Sequence, residues 1–259
     1  MKAIIYAAGR GTRLQVNLPK ILLEFGGRTL LEWHALRLRA ANVREVVLVT
    51  GHLREQIAEL LPGICARHDV ALREIVNPRF HEGSLLSLKV SLPEIEHSSE
   101  PILLMDADVL YPNGMLDRLI GSQHDTALLL DREFSTDDDD PMLVPVKNGR
   151  PIDFRKQWSG DADFVGESIG FFKIGPADFP LLIKETRARS LGSSCVDSYD
   201  DVLRILVLAG RFGYEDVTGL QWIEIDFPTD VIRARNQLVP AINANENPAL
   251  RANDPMRWS

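Results

Sequence analysis

The sequence predicts an α/β protein: a single doubly wound, mostly parallel sheet with a β-hairpin lid inserted at one edge. Three observations predict it. Apolar runs near residues 2–6, 45–50 and 101–105, with a further strand at 72–76, alternate with segments of helical periodicity, the pattern of βαβ units. Val46-Val47-Leu48-Val49 is continuously apolar, as a strand covered on both faces must be. The first run passes directly into Ala7-Ala8-Gly9-Arg10-Gly11-Thr12-Arg13, a small-residue loop at a strand's carboxyl end, where such sheets bind ligands.

Lys2 to Tyr6 is the first strand. In the loop after it, glycines leave backbone N–H groups open to an anion, and Arg13 and Lys20 add two cations. That combination suits a nucleoside triphosphate. No Gly-x-x-x-x-Gly-Lys-Ser/Thr run occurs, and Leu14 stands where a dinucleotide fingerprint needs its third glycine. After the Gly26-Gly27 turn, a helix starts near Thr29 and presents Leu30, Leu31, Ala35, Leu38 and Ala41 on one face. Strand 45–50 follows, then helix 53–61, which is expected to stop at Pro62-Gly63. Strand 72–76 ends at Asn77-Pro78, and Gly83-Ser84 opens the next helix, with Ser84 also readable as a plain N-cap.

Strand 101–105 runs into Asp106-Ala107-Asp108. Acids at the end of a central strand are costly unless paired or bound to a cation. From Thr126 the elements shorten: a strand at 128–130, the acidic run Asp137 to Asp140, and two strands, 142–146 and 152–154, flanking the type I′ turn signal Asn148-Gly149. Residues 131–165 are therefore expected to form the lid over the sheet edge. Strand 166–174 returns to the sheet. Helices at 177–189 and 198–210 follow, with capping accounting for part of Asp197, Asp200 and Asp201. A last strand, 221–226, delivers Asp226 before a helix that starts at Pro228, and the tail from Asn243 is polar.

The chain has 259 residues, 45% of them apolar and 25% charged, enough for one large domain. With 37 acidic and 29 basic residues the net charge is −8, which argues against nucleic acid as a partner. Cys65 and Cys195 are too few for a disulfide framework or zinc site and are expected to be buried. The six histidines are scattered and are expected on the surface or satisfied in the core. No apolar run is long enough to insert in a membrane, no leader is read, and the expected compartment is the cytoplasm.

Gly9-Arg10-Gly11-Thr12-Arg13-Leu14 followed by Pro19-Lys20 resembles the signature of nucleotidyltransferases with a MobA-like or sugar-nucleotidyltransferase fold. Over about residues 2–236 the chain is similar to bacterial cytidylyltransferases for phosphocholine, aminoalkyl-phosphonates and related small phosphorylated alcohols. The resemblance implies a Rossmann-like nucleotidyltransferase domain over 1–240 and a polar arm or disordered tail over 241–259. It implies that Mg²⁺ is the cofactor, held by Asp108 and Asp226, with Asp106 and Glu224 as neighbouring acids. Ala7, Ala8, Gly9, Arg10, Gly11, Thr12, Asn77, Gly83, Ser84 and Asp106 are the implied nucleotide side. Lys20 and Arg13 are the catalytic cations. On the acceptor side stand Asp140, Lys156, Trp158, Glu167 and Glu224. The carboxylates would meet an amine, Trp158 a quaternary ammonium, and Lys156 the acceptor's phosphate. Gly83-Ser84 departs from the phosphocholine enzymes, in which more polar amide side chains are expected, and this leaves the acceptor open.

The implied activity joins a nucleoside monophosphate, from CTP above other triphosphates, to a small phosphorylated alcohol or phosphonate such as phosphocholine or 2-aminoethylphosphonate. Pyrophosphate is released. An acceptor already ionised at neutral pH needs no general base, so catalysis is positioning and charge neutralisation. Two alternatives stand beside it: a sugar-1-phosphate nucleotidyltransferase using UTP, GTP or dTTP, and a non-catalytic nucleotide-binding regulator. The expected partners are small molecules, and a homodimer is compatible with the chain.

Overall fold

The computed structural model describes residues 1–134, 141–191 and 197–246. β1 (Lys2–Ala7) is followed by a one-turn 3₁₀ segment at Thr12–Leu14 and a second at Lys20–Leu22. β2 (Glu24–Phe25) and β3 (Arg28–Thr29) form a small ribbon that leads into α1 (Leu30–Ala40). The Thr29 hydroxyl accepts from the Glu32 N–H, and the Glu32 carboxylate accepts from the Thr29 N–H, so the helix begins with a capping box. β4 (Glu45–Thr50), α2 (Arg54–His68), β5 (Ala71–Val76), α3 (Leu85–Glu96) and β6 (Ile102–Asp106) complete the alternating half. Next come β7 (Val109–Leu110), α4 (Met115–Ile120), β8 (Ala127–Asp131), β9 (Leu143–Lys147), β10 (Arg150–Pro151) and β11 (Phe164–Ile174). The chain continues through α5 (Phe179–Arg189), α6 (Tyr199–Leu208), β12 (Gly213–Asp216), β13 (Ile223–Glu224), α7 (Pro228–Arg233) and, after a π-turn, α8 (Val239–Glu246).

β5, β4, β1 and β6 lie side by side in that order and are parallel, with Tyr6 paired to Thr50's neighbour Val49 on one side and to Asp106 on the other. Chain order runs outward from β1 through β4 to β5, then jumps back to β6. The switch point is therefore between β1 and β6, which places the glycine loop and Asp106–Asp108 at the crevice. Alternate residues feed two cores: Ala3 and Ile5 pack with α1, α2 and α4, whereas Ile4 packs with α3, α5 and α6. The doubly wound expectation is met, and the runs of β1, β4 and β6 are continuously apolar because each has two faces to bury, whereas the edge strand β5 carries Arg73 and Glu74 and is only partly buried.

β11 is antiparallel to its neighbours and carries the mixed half of the sheet. Glu167 is paired with Asp131 of β8 on one edge and with Leu143 of β9 on the other. β9 therefore shares an edge with β6, farther along the same strand, and a register shift between Ser168 and Phe172 separates the two pairings. The expected lid is thus a continuation of the sheet. Asn148 (φ 51°) and Gly149 (φ 71°) do form the left-handed pair of a type I′ turn, with the return strand at Arg150–Pro151 and only a bridge from Leu143 to Arg155 beyond.

Three further expectations are corrected. α2 runs through Pro62-Gly63 to His68. Proline inside a helix costs about 3 kcal/mol, but Ile57, Leu61 and Ile64 share one buried face, at about 1.5–3 kcal/mol each. The strand expected at 221–226 is short and pairs with β7 as a separate ribbon, outside the central sheet. Of the expected arm at 241–259, residues 241–246 belong to α8, where Glu246 ion-pairs with Arg37 at 2.9 Å, and the rest lies outside the described residues. Cys65 is half-buried rather than buried, and Cys195 lies outside the described residues. No helix among the described residues is long and apolar enough to cross a membrane.

Candidate active site

Gly11 shows why the loop has its sequence. Its φ is +57°, and a Cβ there would stand 2.9 Å from the Cγ of Lys20. Only glycine permits both the left-handed turn and the close passage of the lysine stem. Leu14, buried beneath, anchors the 3₁₀ turn, and the carbonyl of Ala8 accepts from the His52 N–H at 3.2 Å. Ala7, Ala8, Gly9, Arg10, Gly11 and Thr12 thus form one braced turn at the end of β1.

Lys20 reaches across this turn to two carboxylates. Its Nζ donates to Asp108 Oδ2 at 2.9 Å and to Asp226 Oδ1, and Arg13 donates to Asp226 Oδ2 at 2.8 Å. Burial opposes the Lys20 charge, but Asp108 and Asp226 outweigh it and hold the ammonium above the usual lysine range. Asp226 responds in kind: burial works against its charge, yet Lys20 and Arg13 keep it below the usual carboxylate range. Among the described residues, Asp108, Glu224 and Asp226 form a group whose carboxylate oxygens lie within 4.8 Å of one another. Crowding by the protein, then the charges of Asp108 and Asp226, push the Glu224 carboxyl well above its usual range. Three hard oxygen donors with surplus negative charge fit a divalent cation such as Mg²⁺.

Asp106, at the end of β6, is held from two sides. Its Oδ1 accepts from the Tyr199 hydroxyl, and its Oδ2 lies where a Cβ on Gly170 would be only 2.2 Å away. Burial, then Asp108 and Asp200, raise its carboxyl well above the ordinary range. It faces a cleft of about 630 Å³ that Arg13, Lys156, Glu167, Glu224 and Asp226 also line.

The remaining expected residues are less uniform. Asn77 is buried, with its Nδ2 on Ser87 Oγ at 3.1 Å and its Oδ1 accepting from the Arg79 N–H at 3.0 Å, so its side chain shapes a turn. Ser84 does not cap its own helix. Its hydroxyl pairs with Ser198 Oγ at 2.9 Å and accepts from the Tyr199 N–H, tying the Gly83-Ser84 turn to the start of α6. Trp158 does not line the cleft; its ring lies over Gly160, which leaves the expected aromatic face for a quaternary ammonium unsupported. Asp140 lies outside the described residues, as does the rest of the Asp137–Asp140 run.

Three contributors escaped the sequence reading. Tyr199 holds Asp106, and Asp200 lines the cleft with its carboxyl raised by burial. Ser198 and Asp201 form the capping box, and the Ser198 hydroxyl also donates to Asp200 Oδ2 at 2.6 Å, so Asp200 belongs to the cap and to the cleft at once. Trp222 donates its indole N–H to Asp131 at 2.8 Å and pins the chain before Glu224 against β8.

With this geometry in view, the chain belongs to the MobA-like NTP transferase domain family, whose model matches residues 3–191. It is 27% identical to a CMP-5'-(3-aminopropyl)phosphonate synthase of Streptomyces rubellomurinus over 93% of its length, and it spans 39% of that protein. It is 21% identical to the CTP:phosphoglutamine cytidylyltransferase of Campylobacter jejuni, covering 67% of this chain and 73% of that one. The fold matches the inositol-1-phosphate CTP transferase of T. maritima with a TM-score of 0.74, at 22% identity, over 93% of this chain and 96% of that one.

Proposed function

We propose that the chain transfers CMP from CTP to a small phosphorylated or phosphonate acceptor and releases pyrophosphate. The observation that carries this reading is Lys20, held between Asp108 and Asp226 at the switch point, with Arg13 beside it. An acceptor oxygen forms the new bond to the α-phosphorus as the bond to the pyrophosphate oxygen breaks. Both partners are anions, so the barrier is largely electrostatic. Lys20 would bind the α-phosphate and the incoming oxygen, and Arg13 and the loop amides the leaving pyrophosphate. A Cβ on Gly9 would meet no protein atom within 4 Å, so the space above it is open to phosphates. Asp108 and Asp226, with Glu224 adjacent, are the residues that would hold Mg²⁺, which supplies neutralisation of phosphate charge.

The acids of the cleft favour an acceptor that carries an amine. Asp131, Glu133, Glu167 and Asp200 line it, and the charge of Lys156, also in the lining, acts on Asp200. A phosphate dianion without a compensating positive charge would be repelled by that wall. The relatives fit this reading in part: one acts on an aminoalkyl phosphonate, another on phosphoglutamine. Pyrophosphate release should therefore be measured with CTP, UTP, GTP, ATP and dTTP against phosphocholine, 2-aminoethylphosphonate, inositol phosphate, glycerol phosphate and hexose 1-phosphates. Release with CTP and an amine-bearing acceptor is the expected outcome. Release with a hexose 1-phosphate moves the protein to the sugar-nucleotide branch, and nucleotide binding without release makes it a regulator.

A further inference from the structure

The inner face of α1 has no part in the chemistry above, yet it grips the segment that carries Asp108. His34 and Arg37, one turn apart, are both buried there. His34 Nε2 lies 3.1 Å from the carbonyl oxygen of Ala107, the residue between Asp106 and Asp108, and Nδ1 lies 3.3 Å from the Tyr111 hydroxyl. Arg37 Nε donates to the Tyr111 carbonyl at 3.2 Å and Nη1 to Asn113 Oδ1 at 2.8 Å. Tyr111 and Phe171 close the pocket around the imidazole, with ring centroids 5.5 and 6.3 Å away.

A carbonyl can only accept, so Nε2 carries the proton and Nδ1 receives the tyrosine hydroxyl. Burial keeps the ring neutral at physiological pH, with its pKa down to about 4, so this one tautomer persists. Ala107 is itself buried, so its carbonyl depends on a partner from within the protein. Without the His34 donor, the peptide after Ala107 would rotate in search of another partner, and that rotation swings the Asp108 side chain.

We propose that His34 is a positioning residue for the metal site: its Nε2–H fixes the Ala107 carbonyl and thereby sets where the Asp108 carboxylate stands relative to Asp226. The proposal rests on the reading of Asp108 and Asp226 as metal ligands. It differs from a packing role because it needs a donor at one atom, and volume alone does not supply it.

The test is Mn²⁺ binding to the whole chain, with CTP present and no acceptor, followed by the electron paramagnetic resonance of free Mn²⁺. His34→Leu is expected to weaken Mn²⁺ about tenfold, while His34→Gln, which keeps an N–H donor, stays within about threefold of wild type. Tyr111→Phe, which releases Nδ1 and the tautomer, should weaken binding in the same direction. Melting temperatures recorded alongside separate the alternatives. Variants that melt lower but bind Mn²⁺ as wild type does overturn the proposal. If His34→Leu does not fold, Tyr111→Phe decides: weakened binding supports the proposal, and wild-type binding overturns it. Wild-type protein that binds no Mn²⁺ overturns the metal reading and this one with it, whereas wild-type binding untouched in His34→Leu overturns this one alone.

Discussion

The backbone N–H of Ile225 donates to the carbonyl oxygen of Asp108 at 2.9 Å. Asp226 follows Ile225 directly, so Asp108, between β6 and β7, and Asp226, just after β13, are joined through main chain as well as through Lys20. The site is thus assembled from two distant stretches whose relative position does not depend on side-chain rotamers alone. The variants below probe how firmly that assembly is held.

Lys20→Ala leaves Asp108 and Asp226 facing each other without the ammonium between them. Pyrophosphate release should fall by about 10²–10³-fold, the scale of removing one preorganised charge donor. The variant should also gain more melting temperature from added Mg²⁺ than wild type does, because Mg²⁺ relieves the unpaired carboxylates. A rate within threefold of wild type would contradict the proposed mechanism.

Gly170→Ala tests the support of Asp106. Gly170 has φ +76°, and the new methyl would stand 2.2 Å from Asp106 Oδ2. Strain at such a position costs about 1–3 kcal/mol before the clash is counted. Chemical denaturation should show at least that loss, and the hydrogen bond from Tyr199 to Asp106 should be disturbed with it.

Trp222→Phe keeps an aromatic ring but removes the donor to Asp131, leaving a buried carboxylate short of a partner at about 1–3 kcal/mol. The chain from Gly219 to Trp222, which forms one wall of the cleft, should loosen. The expected kinetic signature is a raised KM for the acceptor with the KM for CTP little changed. A rise in the CTP value alone would place this wall on the nucleotide side.

His34 also gives a pH signature. Its pKa is about 4 in the fold against 6.5 as a model value. Between those values the folded chain binds fewer protons than the unfolded chain, so stability rises with pH across the window and is lost as pH falls from about 6.5 to 4. The contribution is about 3 kcal/mol. Denaturation midpoints measured from pH 4 to 7 should rise more steeply in wild type than in His34→Gln.

The parallel half of the fold was legible because the apolar runs of β1, β4 and β6 reflect burial on two faces, and because a strand feeding straight into Gly9–Gly11 marks the switch point. Lys20, Asp108 and Asp226 were named from local motifs, and the structure brings all three together. What was not legible depends on contacts between distant stretches. Pro62 signalled a helix end, but the burial of Ile64 that carries α2 onward is a tertiary effect. Nothing in the order of residues says that Tyr199 reaches Asp106, or that Trp158 turns toward Gly160 and away from the cleft. His34 looked like any histidine in a helix until the carbonyl it meets was known.

The register shift in β11 gives the molecule a division of labour. The half of the strand that pairs with β6 belongs to the rigid parallel core, and the half that pairs with β9 carries a hairpin with no helix threaded back through that core. Insertions and side-chain changes in the hairpin can therefore accumulate without altering the register beneath the glycine loop. One inherited nucleotide platform could serve a succession of different acceptors, each new preference arising at the periphery of the sheet.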